Sequence, residues 1–211
     1  MKRIVILISG RGSNMQAIFG AKLNATIAAV VSNNPAARGL QVARDAGIET
    51  RVVNHRDFAD RSGFDRSLGD TVAEYSPDLI VLAGFMRILT EEFIGRFNGR
   101  IMNIHPSLLP AFPGLETHQR ALDEGVKLHG CTVHFVTPTL DHGPIIIQSA
   151  VPVLPEDDEE RLAARVLEQE HVVYPIAICW FLDDQLAIEG NRVKLSGAGQ
   201  YPAAMISPLP R

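Results

Sequence analysis

The sequence predicts an α/β protein: a Rossmann-like open sheet, mostly parallel but mixed toward the end of the chain, flanked by helices. Three observations support this class. Residues 2–8 form a continuous apolar run, as in a strand buried on both faces of a parallel sheet. Segments with strand and helix patterns then alternate, which is typical of βαβ units. Two later strand patterns are joined by residues 137–144, which are rich in turn formers and indicate a hairpin.

Length and composition indicate one ordinary globular domain. The chain has 211 residues, of which 46% are hydrophobic and 21% charged, enough for a single good core. We expect one catalytic domain over residues 1–183. A C-terminal hairpin and a mobile tail rich in proline and glycine should follow over residues 184–211.

Charge and cysteine usage restrict the partners. The formal net charge of −4 gives no electrostatic grip on nucleic acid or an anionic membrane. The first apolar run is too short for a signal peptide, and the run at 172–182 contains Pro175 and predicts a buried helix. Cys131 and Cys179 form no C-x-x-C pair, as expected of buried thiols in a reduced protein. We therefore expect small-molecule ligands, a cytoplasmic location, and a monomer or homodimer.

The remaining elements continue the alternation. The patterns predict helices near 38–47, 63–75 and 117–124, a long helix from the acidic run at 156–160 to about 182, strands at 26–31, 49–53, 78–83, 101–105, 129–136 and 145–153, and a hairpin over 185–195.

A glycine-rich turn joins the first strand to the first helix. It reads Gly10-Arg11-Gly12-Ser13-Asn14, and Ser13 with Gln16 fits a capping box. Backbone N–H groups and the helix dipole make such a turn an anion site. A dinucleotide fingerprint needs a small residue where this chain has Met15, and an acid where it has the polar residues 32–34. A single phosphate fits better, held by Gly12, Ser13 and Asn14; a plain tight turn remains the alternative.

The central segment reads Asn103-Ile104-His105-Pro106-Ser107-Leu108-Leu109-Pro110. Alternation along a strand puts Asn103 and His105 on one side, and Pro106 should end the strand. Ligands gather where the strands of an open sheet end. The imidazole can exchange protons near neutral pH, and the carboxamide can donate to an oxyanion. We expect the glycine-rich turn, this pair and the loop of Asp141 to share one edge of the sheet, where Asp141 would orient the imidazole and move protons. The three side chains suit transfer through a tetrahedral oxyanion, with a core histidine and a turn asparagine as the alternative.

The sequence shows neither a covalent nucleophile nor a clear metal motif beside these residues. The absence of a G-x-S-x-G turn and of an activated-cysteine pattern favours direct transfer between two bound substrates. Metal binding is the rival use of the histidines, but His129 and His134 lie five positions apart on one predicted strand and should face opposite sides. We expect no metal, although a local contribution from Asp141 and His142 stays open.

These motifs resemble those of the folate-dependent formyltransferases, and most closely the phosphoribosylglycinamide formyltransferases of purine synthesis. Shared stretches run in the family's order between residues 2 and 183: 8–14, 82–89, 103–110, 134–136, 140–144 and 169–171. The Asn-x-His-Pro-Ser-Leu-Leu-Pro motif is specific to folate formyl-transfer domains. The resemblance implies a formyltransferase-type fold that transfers a formyl group from 10-formyltetrahydrofolate to the amine of phosphoribosylglycinamide in IMP biosynthesis.

The resemblance also implies a role for each site residue. It implies that His105 is the catalytic acid, that Asn103 assists at the oxyanion, and that Asp141 sets the protonation of the histidine. The substrate phosphoribosyl group is implied to contact Gly12, Ser13, Asn14 and Glu170. The folate cosubstrate is implied to contact a larger set: Arg61, Met86, Arg87, Ile88, Leu89, Asn103, Thr137, Pro138, Thr139, Leu140 and Asp141. His142 stands where the family commonly has glycine, and we expect it to point to solvent.

Other functions remain open from the sequence. A formyltetrahydrofolate hydrolase of this fold usually carries an extra domain before this one, and a methionyl-tRNA formyltransferase carries a further domain after it and a basic surface. This chain begins with the first strand and is acidic overall. Retention of Asn103, His105 and Asp141 together argues against a non-catalytic nucleotide-binding module. A nicotinamide-dependent dehydrogenase is disfavoured by Met15 and the missing acid.

Overall fold

One nine-stranded sheet organises the computed structural model, which describes residues 1–197 and Ser207; its strand order is β3-β2-β1-β4-β5-β6-β7-β9-β8. The strands are β1 Lys2–Ile8, β2 Ala25–Ser32, β3 Thr50–Val52, β4 Leu79–Leu82, β5 Ile101–His105, β6 Leu128–Phe135, β7 Ile145–Pro152, β8 Leu186–Glu189 and β9 Arg192–Leu195. The helices are α1 Ser13–Gly20, α2 Arg38–Asp45, α3 Arg61–Ala73, α4 Glu91–Arg96, α5 Thr117–Asp123 and α6 Glu159–Leu182, with a short 3-10 helix at His55–Asp57.

The sheet is mostly parallel and becomes mixed, which confirms the predicted fold class. Strands β1 to β5 pair in parallel, whereas β6 runs antiparallel to both β5 and β7. The reversal between β6 and β7 follows from chain length, because they are connected by a loop of nine residues, too short for a parallel crossover. The β8–β9 hairpin extends the sheet, with β9 pairing to β7 at Ile145 and Arg192.

The core lies on both faces of the sheet, as the continuous apolar run of β1 predicts. Ile4 and Ile6 are fully buried in a cluster that includes residues of α1 and α6. Val5 and Leu7 are buried in a second cluster, with residues of α3 and α4. Each fully buried aliphatic side chain of this kind contributes roughly 1.5–3 kcal/mol.

Two predictions about local structure were incomplete or wrong. The short helix α4 was not predicted; its start signal is Thr90, whose hydroxyl accepts a hydrogen bond from the amide of Phe93 at 3.3 Å. The segment 172–182 is helical but not wholly buried, because Val172 is 53% and Ile176 37% exposed on the outer face of α6. An apolar run longer than the stripe that a helix buries leaves some of its members at the surface.

The end of the chain is only partly described. The residues of the predicted tail after Gly197, other than Ser207, lie outside the described residues. Within the part of the chain that is described, no helix has the length and apolar character needed to cross a membrane.

Candidate active site

The candidate site lies where β1, β4 and β5 end. Because these strands are parallel, their carboxyl ends meet at one edge of the sheet. The glycine-rich turn follows β1, residues 84–89 follow β4, and His105 ends β5, as the position of Pro106 predicted. Three stretches far apart in sequence therefore converge on one crevice.

The backbone of the turn after β1 is suited to binding an anion, although the predicted capping box is wrong. Gly12 is the N-cap residue of α1, with a left-handed φ of 77°, and no side chain caps the helix. Ser13 is therefore the first helical residue and forms no capping box with Gln16, because the glycine itself makes the turn into the helix. A Cβ on Gly12 would lie 3.2 Å from Cα of Gly39. The backbone amides of the first turn remain available to an oxyanion such as phosphate.

Asn14 and Glu170 meet at the base of this turn. Asn14 Nδ2 donates to Glu170 Oε2 at 2.7 Å, and both residues are buried. Burial raises the pKa of the Glu170 carboxyl, and the hydrogen bond from Asn14 opposes that rise. The other amide atom, Asn14 Oδ1, is buried without a partner among the described residues. The structure thus joins two predicted substrate-binding residues that lie on α1 and α6.

Each ring nitrogen of His105 faces a different group, and one of the two makes a hydrogen bond. Its Nε2 lies 2.9 Å from the carbonyl oxygen of Phe112, and its Nδ1 lies 3.5 Å from Oδ2 of Asp141. A carbonyl oxygen only accepts, so Nε2 carries a proton and donates it to Phe112. This leaves Nδ1 as the nitrogen that faces the carboxylate. Both side chains are buried, with 7% and 8% of their surface exposed.

Asn103 lies beside His134, a residue to which the sequence had assigned no role. Asn103 and His134 are direct partners across β5 and β6, and Asn103 Nδ2 lies 3.2 Å from His134 Nε2. The amide nitrogen only donates, so His134 accepts at Nε2 and donates from Nδ1 to the carbonyl of Phe135 at 3.0 Å. Burial lowers the pKa of His134, in keeping with this neutral ring. The second N–H of the Asn103 amide remains for a ligand.

Asp141 reaches the site by a route that the sequence did not predict. Phe135, at the end of β6, lies opposite Met102 near the start of β5, away from the carboxyl edge. The loop that follows folds back along the sheet, and Asp141 adopts a left-handed φ of 50°. Its Oδ2 also accepts a hydrogen bond from the amide of Gly114 at 2.9 Å. The loop therefore begins away from the carboxyl edge, but its carboxylate lies beside His105 at that edge, as expected.

The segments expected to contact folate differ in exposure. Met86 and Ile88 are 69% and 49% exposed, whereas Leu89 is buried. The Met86 amide donates to Ser9 Oγ at 2.8 Å, which ties this segment to the end of β1. In the 137–141 loop, the Thr137 hydroxyl donates to the carbonyl of Thr139 at 3.3 Å. Three other residues of this loop are exposed: Pro138, Thr139 and Leu140. Arg87, in the segment after β4, is half-buried.

Two predicted residues stand apart from this group. Arg61 is exposed at the start of α3, and no hydrogen bond or ion pair among the described residues joins it to 86–89 or 137–141. His142 is exposed, as predicted. It lines a cavity of about 420 Å³ beside Asp141, whose other walls are Leu109, Pro110, Gly143, Ile145, Asn191, Arg192 and Val193.

Two further histidines, His118 and His129, form a separate pair. His129 Nε2 lies 3.2 Å from His118 Nδ1, and burial followed by the His118 charge lowers the pKa of His129 to about 4. His134 instead contacts Asn103 and lies near Asp141. His129 and His134 therefore lie in different environments, as their spacing predicted. Over the described residues, no group of three or more His, Cys, Asp or Glu side chains is arranged to hold a metal ion.

Comparison with known proteins assigns the chain to a class. A family model described as formyl transferase matches residues 2–178. The chain is 50% identical to phosphoribosylglycinamide formyltransferase of Escherichia coli (strain K12) over 198 residues, which cover 92% of this chain and 93% of that protein. A crystal structure of glycinamide ribonucleotide transformylase 1 from Symbiobacterium toebii superposes with a TM-score of 0.90 at 46% identity, covering 93% of this chain and 94% of that one.

A second kind of enzyme shares the fold. A crystal structure of a formyltetrahydrofolate deformylase from Pseudomonas syringae pv. tomato superposes with a TM-score of 0.86 at 28% identity, covering 92% of this chain and 66% of that one. The chain belongs to the formyl transferase family. The similarities confirm the resemblance to the phosphoribosylglycinamide formyltransferases, and the protein is an enzyme of that branch.

Proposed function

We propose that this chain transfers the formyl group of 10-formyltetrahydrofolate directly to the amine of phosphoribosylglycinamide, a step of IMP biosynthesis. One observation carries the proposal. The buried imidazole of His105 faces the carboxylate of Asp141 and shares a strand face with the carboxamide of Asn103, between a turn suited to a phosphate and a partly exposed apolar segment. Each part matches one portion of the two substrates.

The phosphate-binding turn and the pair formed by Asn14 and Glu170 suit the ribonucleotide. The amides at Gly12, Ser13 and Asn14 would receive the phosphate at the start of α1. The Glu170 carboxyl accepts from Asn14, and its remaining oxygen is suited to a ribose hydroxyl. Folate would lie along Met86, Ile88 and the 137–141 loop, whose exposed apolar groups suit a flat aromatic ligand.

The chemistry at the formyl group follows from which N–H groups of the site are available to donate a hydrogen bond. Nε2 of His105 is engaged by the Phe112 carbonyl, so Nδ1 is the atom that donates to the formyl oxygen when the ring is an imidazolium. The free N–H of Asn103 donates to the same oxygen. These two donors stabilise the negative charge that develops as the amine nitrogen bonds to the formyl carbon.

Proton transfer completes the reaction. Asp141 receives the proton that the attacking amine loses, directly or through water, and stabilises the His105 imidazolium across the 3.5 Å separation. When the tetrahedral intermediate collapses, the bond between the formyl carbon and folate N10 breaks, and N10 takes up that proton from Asp141, directly or through water. The products are the formylated amine and tetrahydrofolate, with no covalent enzyme intermediate.

The proposal includes a cytoplasmic location and small-molecule partners only. Cys131 and Cys179 are both free thiols, which suits a reducing compartment. Hydrolysis of the formyl-folate is the alternative, since a formyltetrahydrofolate deformylase has a similar fold.

An absorbance assay of folate deformylation distinguishes these activities. The purified chain is mixed with a 10-formylfolate cosubstrate, with and without phosphoribosylglycinamide. We expect a signal that requires the ribonucleotide. An equal signal in its absence would establish the hydrolase instead, and silence in both arms, with ribonucleotide binding retained, would indicate a nucleotide-binding module.

A further inference from the structure

We infer that Arg120 is a positioning residue that holds the catalytic imidazole in place through the loop of residues 111–116. The expected effect of Arg120 on turnover rests on the proposed function. Two observations support the positioning role. This loop supplies backbone hydrogen-bond partners to both His105 and Asp141. The Arg120 guanidinium, which lies outside the loop, donates a hydrogen bond to its backbone.

Loop 111–116 acts on the site through its backbone. The carbonyl of Phe112 accepts the Nε2 proton of His105, and the amide of Gly114 donates to Asp141. The separation and orientation of the catalytic pair therefore depend on where this loop lies. A backbone carbonyl here has the orienting role that a carboxylate has in other catalytic histidine sites, because it selects the nitrogen that remains free.

The loop is anchored at Phe112, whose ring packs against the core and the His129 ring, but the rest of the loop has little support of its own. Phe112, Gly114 and Glu116 all have left-handed φ angles, of 52°, 81° and 55°. Two of these are not glycine, so the conformation is strained and requires support from outside. Leu115 is 74% exposed and does not anchor the loop in the core.

Arg120 supplies that support from the last turn of α5. Its Nη1 donates to the carbonyl of Pro113 at 2.6 Å and approaches that of Leu115 at 3.4 Å. Its guanidinium carbon lies 5.6 Å from the centre of the Phe112 ring, within the range of a cation–π contact. One side chain thus contacts three loop residues, while Ser107 holds the beginning of the loop through the Ala111 carbonyl at 2.6 Å.

Loss of the guanidinium should reduce turnover without reducing substrate affinity. The loop would relax, the Phe112 carbonyl would leave Nε2, and the imidazole would spend less time with Nδ1 directed at the reacting group. A displacement of about 1 Å at a reacting group can cost roughly 100-fold in rate. The ribonucleotide and folate segments lie on other loops, so the KM values should be preserved.

The test compares Arg120→Met with Arg120→Lys and with Arg161→Met. Arg161 is the matched control, because its Nη1 donates to the carbonyl of Glu156 at 2.8 Å in the turn before α6. We expect Arg120→Met to lower kcat about 10-fold or more, with both KM values within about twofold. Lysine keeps the charge but lacks the planar group that reaches two carbonyls and the Phe112 ring, so Arg120→Lys should recover only part of the activity. Arg161→Met should match the unaltered chain.

Imidazole NMR supplies the readout that a purely structural role would not change. With ¹⁵N-labelled histidine, and His105→Ala to assign the signal, His105 should show a protonated, hydrogen-bonded Nε2 that Arg120→Met loses and Arg161→Met keeps. An unchanged His105 signal in Arg120→Met, or a kcat equal to that of Arg161→Met, would overturn the inference. If the unaltered chain transfers no formyl group, the proposed function fails, and the spectra still decide whether Arg120 positions His105.

Discussion

Asn103 and His134 face each other across β5 and β6, and the 3.2 Å hydrogen bond between them orients the Asn103 carboxamide with its nitrogen as the donor. Neutral His134 accepts this bond because its other nitrogen donates to Phe135. The pair accounts for one amide proton and leaves the second for an oxyanion. His134 therefore positions Asn103 without touching the reacting atoms.

Replacement of His134 should expose this dependence. His134→Phe removes the acceptor, so Asn103 is free to rotate. We expect kcat to fall roughly 10- to 100-fold, less than the roughly 100- to 1000-fold cost of removing an oxyanion donor outright. His134→Gln offers a carbonyl acceptor and should recover part of the rate. Steady-state kinetics with both variants, and melting curves to compare their folding, provide the measurement. Equal kcat values for the phenylalanine variant and the unaltered chain would remove the positioning role.

A negative charge at the first turn of α1 should weaken ribonucleotide binding. Ser13→Asp places a carboxylate beside the proposed phosphate, and repulsion of about 1–3 kcal/mol predicts a Kd roughly 5- to 150-fold larger. Calorimetry with phosphoribosylglycinamide measures it. Ser62→Asp, an equivalent change in the first turn of α3, is the control. Unchanged binding by Ser13→Asp would exclude this turn as the phosphate site.

The hydroxyl of Ser9 should matter for folate rather than for the ribonucleotide. It accepts from the Met86 amide and donates to Asn33 Oδ1 at 2.5 Å, so Ser9→Ala releases the 84–89 segment. Loss of a hydrogen bond of about 1 kcal/mol predicts a KM for the folate cosubstrate roughly fivefold higher. Ser32→Ala is the matched control. The Ser32 hydroxyl donates to the Asn34 carbonyl at 3.0 Å and accepts from the Asn34 amide at 3.1 Å, so its loss does not affect the 84–89 segment directly. A similar folate KM for the two variants would contradict this assignment.

Glu170 should make stability fall as pH rises. Burial raises its pKa above the ordinary 4.5, so the folded chain holds this proton more tightly than the unfolded chain. Between the ordinary and the raised pKa, folding takes up a proton, and stability is lost as pH rises through that window. The side chain in Glu170→Gln cannot ionise. The melting temperature of this variant, relative to that of the unaltered chain, should therefore rise as pH increases above 4.5.

The control for this pH dependence lies on the same helix. Glu168 is exposed on α6, and Glu168→Gln should show no such pH-dependent gain. The Glu170→Gln variant should also bind the ribonucleotide more weakly, since the amide loses the charge that strengthens a bond to a ribose hydroxyl. A melting-temperature difference that stays constant from pH 4 to 8 would contradict the role of ionisation.

The sequence predicted the parts of the site that depend on local rules. The apolar run of β1, the glycine turn after it and the strand end at Pro106 each carry a signal within a few residues. The proximity of Asn14 and Glu170 depended on the packing of α6, and it came from resemblance rather than from periodicity. The failed capping box shows the limit of such rules, because Gly12 met the same backbone need without a side chain.

Other parts of the site had no local signal. The Phe112 carbonyl and the Gly114 amide are backbone groups, which every sequence contains, and their use depends on left-handed angles in one loop. The pairing of Asn103 with His134 depends on the register between two antiparallel strands, and a slip of one residue would place His134 on the other face. These contacts required the three-dimensional structure.

The central claim is that His105 promotes direct transfer of the formyl group to a bound amine, and isotope transfer tests it most directly. The chain is mixed with 10-[¹³C-formyl]tetrahydrofolate and phosphoribosylglycinamide, and ¹³C NMR follows the label. We predict that the label moves to the glycinamide nitrogen without passing through free formate. His105→Ala should lower the rate about 100-fold or more, while ribonucleotide binding by calorimetry is unchanged. Label in formate, or a His105→Ala rate equal to that of the unaltered chain, would contradict the account.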